Sequence, residues 1–171
     1  MLSPLSIAGA VLLAVLALLL GACARTAAPA PVAASLPLDL APAVAGEMAC
    51  GSLGVKILRQ ELADFTGDGV PDAVLAARCD AGAGNPPSAV FALAAVPGGQ
   101  GVPVRLLDPS RGDVLKDVRA HGPEVAVITF SYSPGVPRCC PDLEVTSQFH
   151  WDGSSVVPGA VTRAPLVAAA R

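Results

Sequence analysis

Hydrophobic and polar positions alternate most regularly near the C-terminal end of the chain. Residues 143–151, LEVTSQFHW, put Leu143, Val145, Phe149 and Trp151 on one side of an extended segment and Glu144, Thr146, Gln148 and His150 on the other. Residues 124–132, EVAVITFSY, are dense in β-branched and aromatic side chains. Both segments are expected to be strands. Between them SPGVPRCCPD is full of turn formers, and Asp152-Gly153 is a hairpin signal leading into a further strand over 155–161. Weaker strands are expected over 55–62, 73–79, 89–96, 102–107 and 114–119, separated by the turn-rich stretches CDAGAGNPPS, PGGQG, DPSRGD and AHGPE. Residues 55–62 keep a second reading as a short helix, because Val55, Leu58 and Leu62 also share a helical face. Short strands joined by short turns predict a mostly β fold: a small antiparallel meander, sandwich or open barrel, with that one short helix as an alternative element. No internal repeat is visible.

A different pattern marks the N-terminus. Residues 7–20, IAGAVLLAVLALLL, are uninterruptedly apolar but short for a membrane span, as the hydrophobic region of a signal peptide is. No Lys or Arg precedes them, so the initiator amine alone supplies positive charge there. The Leu20-Gly21-Ala22-Cys23 that follows resembles the bacterial lipobox, which implies acylation of the Cys23 sulfur, cleavage before it, and attachment to the outer face of a membrane. Next come residues 25–35, RTAAPAPVAAS, whose lack of large side chains leaves little to offset the entropy of ordering. The expected organisation is a signal peptide over 1–22, lipidated Cys23 and an Ala/Pro tether over 23–36, and one β-rich extracytoplasmic domain over 37–171.

Charge and cysteine content narrow the partners. With 11 Lys+Arg against 14 Asp+Glu and no basic cluster, nucleic acid is not an expected partner. Cys50, Cys79, Cys139 and Cys140 form an even set, so two disulfides are expected in an oxidising compartment, with three connectivities open. A bridge between the neighbours Cys139 and Cys140 is strained, which favours splitting that pair between Cys50 and Cys79. Arg138 beside the pair would favour a thiolate, but there is no C-x-x-C to support redox catalysis.

The densest acidic stretch is DFTGDGVPDAV, residues 64–74, between two expected strands. Asp64, Thr66, Asp68 and Asp72 fall at alternating positions, Gly69 permits a sharp bend, and the Val70 carbonyl can turn inward, which is how calcium loops gather hard oxygens on one ion. The stretch is similar to the first nine positions of an EF-hand loop, and closer to the D-x-N-G-D-G-x-x-D loop of FG-GAP and integrin-type repeats, which also joins strands. Thr66 replaces the usual Asn or Asp, Leu75 stands where an EF-hand needs its bidentate Glu, and there is one copy where a propeller needs many. The candidate calcium ligands are therefore Asp64, Thr66, Asp68, Val70 and Asp72, against the plainer reading of a hairpin with solvated aspartates. The expected affinity is weak, on the order of 0.1 to 1 mM.

Catalytic signatures are sparse, and no catalytic residue is assigned. Neither His121, in an HGPE turn, nor His150, on the polar face of a strand, belongs to a zinc spacing, and no nucleophile elbow, P-loop or dinucleotide fingerprint is present. His150 could meet Glu144 or an aspartate as an acid/base pair, and Tyr132 and Trp151 could line a glycan or peptide groove. Four features in order, the lipobox at Cys23, DFTGDGVPDAVLAARCDAGAGNPPS, VPRCCPD and FHWDG, resemble actinobacterial cell-envelope lipoproteins of the LppP/LprE type. That resemblance implies an exported, anchored, disulfide-bearing domain and carries over no catalytic residues. The function expected is thus a non-enzymatic binding or envelope-structural module, with an envelope polymer or protein as partner; the alternative is a calcium-assisted hydrolase of envelope polymers using His150.

Overall fold

The computed structural model describes residues 36–37, 39–82 and 87–166. The expected signal peptide, Cys23 and the expected tether up to residue 35 lie outside the described residues. The fold is mostly antiparallel β, as the alternation predicts. Among the described residues one helix, α1 (Ala41–Met48), precedes ten strands: β1 (Val55–Ala63), β2 (Asp72–Cys79), β3 (Ala89–Leu93), β4 (Ala95–Val96), β5 (Gly99–Gln100), β6 (Val104–Leu107), β7 (Val114–His121), β8 (Glu124–Ser131), β9 (Leu143–Trp151) and β10 (Val156–Pro165). A 3-10 turn at Pro109–Arg111 links β6 to β7. One four-stranded sheet runs β1-β2-β3-β6 and a second runs β10-β9-β8-β7, with β4 and β5 making a small hairpin.

The layers follow from which faces are apolar. In β2, Ala73, Leu75 and Ala77 pack with Leu40, Val44 and Met48 of the helical segment, while Val74 and Ala76 face the other way and join Val118, Val125, Val127 and Val156 of the second sheet. Helix, first sheet and second sheet therefore stack in that order. Because β2 and β3 are buried on both faces, they read as continuous apolar runs rather than alternations. Residues 55–62 form a strand, with Val55↔Cys79 and Ala63↔Asp72 bounding its pairing to β2. The short helix lies instead at Ala41–Met48, where Leu40, Val44 and Met48 recur every four residues and Pro42 occupies the first turn. Among the described residues no helix is long and apolar enough to cross a membrane.

Cys50 is bonded to Cys79, which corrects the expectation that each would take a partner from the Cys139 and Cys140 pair. The register accounts for this. Cys79 lies opposite Val55 at the end of the β1–β2 ladder, and the turn after α1, closed by the Leu53 N–H on the Cys50 carbonyl, brings Cys50 to the same corner. Cys139 and Cys140 are both exposed in the loop between β8 and β9, with free thiols.

Candidate functional site

The acidic loop joins β1 to β2, and its carboxylates are shared out among backbone amides. Asp64 Oδ1 accepts from the N–H groups of Gly67 at 2.7 Å and Asp68 at 3.1 Å and from the Thr66 hydroxyl at 3.4 Å, while its Oδ2 accepts from Gly69 N–H at 2.9 Å. Asp68 accepts from Val70 N–H at 2.8 Å. Asp72 is fully buried: Oδ2 takes the N–H groups of Phe65 and Thr66, each at 2.9 Å, and Oδ1 takes that of Ala95 at 2.8 Å. Gly67 and Gly69 adopt φ of 78° and 87°, a conformation that strains other residues. Each of the three carboxylates is thus engaged by hydrogen-bond donors, Asp64 and Asp68 by those of the loop and Asp72 by the loop and Ala95, and an arriving cation would share oxygens already taken. Among the described residues, no group of three or more His, Cys, Asp or Glu side chains is arranged to hold a metal ion.

The histidines stand elsewhere. Cross-strand pairing aligns His121 with Glu124 and Glu124 with His150, so all three share the outer face of the second sheet. The expected pairing of His150 with Glu144 does not form, because the two lie at opposite ends of β9 and Glu144 is bonded to Lys116, whose ammonium also sits 5.4 Å above the Phe130 ring. Besides Glu124, Asp152 is also near His150, and its carboxyl is held below its ordinary range chiefly by the backbone N–H groups of Ser155 and Ser154. Trp151 belongs to the core, with its ring 6.2 Å from that of Phe65.

The main cleft is lined by residues that sequence reasoning had not joined. It has a volume of about 440 Å³ and lies between Leu58 and Arg59 of β1, Ser88 before β3, the start of β7, and the loop after β8. Arg138, with Asp113 and Tyr132, also lines an adjoining recess. Most charges here are already matched: Arg59 bonds to Asp117 at 2.7 Å and to Glu61, Asp113 to Arg111 at 3.1 Å and to the Ser131 hydroxyl at 2.7 Å, and Lys116 to Glu144. Asp117 is pushed below its ordinary carboxyl range by the Arg119 hydrogen bond first and by the Arg59 charge second. Arg138 forms no ion pair among the described residues. Its guanidinium lies over Gly112, where a Cβ would come within 1.6 Å of Nη1, and Gly112 itself has φ of 70°. The Tyr132 hydroxyl donates to the Arg138 carbonyl at 2.8 Å and so fixes that part of the loop. The signal for this arrangement was the turn glycine in DPSRGD together with the braced VPRCCPD loop, which sequence alone could not bring face to face.

Nothing matches the chain among protein-family models, curated proteins or solved structures.

Proposed function

We propose that this chain is an extracytoplasmic lipoprotein domain, anchored through the lipid on Cys23 and carried on the Ala/Pro tether, that works by binding an envelope component rather than by catalysis. Its similarity to lipoproteins of the LppP/LprE type, in the lipobox and the VPRCCPD and FHWDG segments, supports the location. The observation that carries the binding reading is the Arg138 guanidinium, which forms no ion pair among the described residues and lies over Gly112 at the main cleft. Arg presents a planar fork of donors suited to a carboxylate or another planar anion. Envelope polymers and protein partners both offer such groups. The acidic loop is read as a brace for the same domain and as a weak calcium ligand set made of Asp64, Thr66, Asp68, Val70 and Asp72.

Two measurements test this. Metabolic labelling with palmitate should mark the wild-type chain in the membrane fraction and not Cys23→Ser. Co-sedimentation with insoluble peptidoglycan should retain the soluble domain and lose Arg138→Ala by about tenfold or more, the scale of one charge-assisted contact. Release of soluble fragments from that polymer, abolished in His150→Ala, would replace the binding reading with the hydrolase one.

A further inference from the structure

The loop between β8 and β9 is short of freedom and rich in sulfur. Its two ends are tied by the Asp142 N–H on the Ser131 carbonyl at 3.1 Å and the Ser133 N–H on Asp142 Oδ1 at 2.8 Å. Inside it the N–H groups of Val136 and Cys140 donate to the carbonyls of Ser133 and Pro137, each at 3.0 Å, and Tyr132 grips the Arg138 carbonyl. Pro137 and Pro141 flank the pair. Cys139 and Cys140 therefore project to solvent from a braced turn. The thiols neighbour one another: the Cys139 thiol, by hydrogen bonding, raises the pKa of Cys140. Since Cys50 and Cys79 are bonded together, each of these two thiols has only the other as a partner among the described cysteines.

We propose that Cys139 and Cys140 are a redox modification site at the rim of the Arg138 cleft, where an external disulfide converts them to a vicinal disulfide. One thiolate attacks a sulfur of the external disulfide, whose other sulfur leaves as a thiol. The second thiolate then attacks the resulting mixed disulfide. One S–S bond forms in the loop and one breaks in the oxidant, which takes up two electrons and both protons and departs as two thiols. Adjacent Cα atoms across a trans peptide stand about 3.8 Å apart, inside the usual lower limit for a disulfide of about 4.4 Å. The Cys50 and Cys79 Cα atoms stand 5.4 Å apart, well within the usual range. A vicinal bridge is consequently the more easily reduced of the two, which suits a reversible mark rather than a staple. Its closure must also turn the peptide next to Arg138, whose carbonyl Tyr132 holds and whose guanidinium crosses Gly112. The thiol state is thereby coupled to the group on which binding depends.

This inference rests on the extracytoplasmic location, and one experiment separates the two. The full chain is exported, quenched with iodoacetamide without reductant, digested and weighed. The peptide containing Cys139 and Cys140 should carry no alkyl group and be lighter by two hydrogens. Graded dithiothreitol should open it at about tenfold lower concentration than it opens Cys50 with Cys79. Alkylation of both Cys139 and Cys140 while Cys50 and Cys79 remain bonded would overturn the proposal and leave the location standing. Alkylation of all four would overturn both. A disulfide to a second chain at Cys139 or Cys140 would overturn it too. Cys139→Ser should expose one alkylatable thiol at Cys140, with the melting temperature unchanged, which keeps the readout independent of folding.

Discussion

Asp72 is a single side chain on which three segments depend. Its carboxylate takes two amides of the acidic loop and one from Ala95, so it joins the start of β2 to both the loop and the β4 hairpin. Each buried donor left without an acceptor costs about 1 to 3 kcal/mol. In Asp72→Asn one oxygen becomes an NH2 that faces amide donors, and the expected loss is about 3 kcal/mol, read as a lowered urea midpoint with an unchanged slope. The same series, run in chelator and then in millimolar calcium, measures the ion. Because Asp64 and Asp72 oxygens are already taken up, the wild-type melting temperature should rise only at calcium concentrations on the order of 0.1 to 1 mM and above, and the rise should vanish in Asp68→Ala. The aspartate spacing was legible in the sequence, but not which atoms would face which amides. That depends on the turn conformation imposed by Gly67 and Gly69.

At the scale of elements, period-two alternation was legible where one face is more exposed, and misleading where both are covered. β9 presents partly buried Phe149 and Trp151 against exposed Gln148 and His150, and its bounds come out as the alternation predicts. β2 and β3, covered by α1 on one side and the second sheet on the other, show no alternation that could reveal the helix above them. α1 is faint in sequence for physical reasons: eight residues, a glycine at Gly46, and no side-chain cap. So short a helix is marginal alone, and it is held by Leu40, Val44 and Met48, by Arg105 bonding to Glu47 at 3.0 Å, and by the adjacent Cys50–Cys79 bridge. That bridge spans 29 residues of sequence. By the entropy of loop closure it should contribute about 3 to 4 kcal/mol. Cys79→Ser, compared with wild type in urea, should lose that amount, and hydrogen exchange should show the α1 amides losing protection before those of β8.

For the whole molecule, the two sheets meet beside the main cleft, where Arg59 of β1 reaches Asp117 of β7. Asp117 belongs to a set of carboxylates, with Asp142 and Asp152, whose folded pKa values lie below the ordinary 3.8 because native donors favour the charged form. For Asp117 the donor is Arg119, for Asp142 the Ser133 N–H, and for Asp152 the Ser155 N–H. A depressed folded pKa means that the unfolded chain binds protons first as the solution is acidified. The stabilisation is therefore complete above the ordinary carboxyl value of 3.8 and is lost as pH falls through the lower folded values. The urea midpoint should stay flat from neutrality to about pH 5 and decline below about pH 4. Of the three, only Asp117 ties strands of different sheets, so its protonation loosens the wall of the cleft as well as lowering stability. Asp117→Asn should flatten part of the acid decline, and in the neutral range it should weaken retention on peptidoglycan without altering Arg138 itself. If the acid decline were the same in Asp117→Asn as in wild type, the junction between the sheets would have to rest on apolar packing alone, with the Arg59 contact a solvated surface pair.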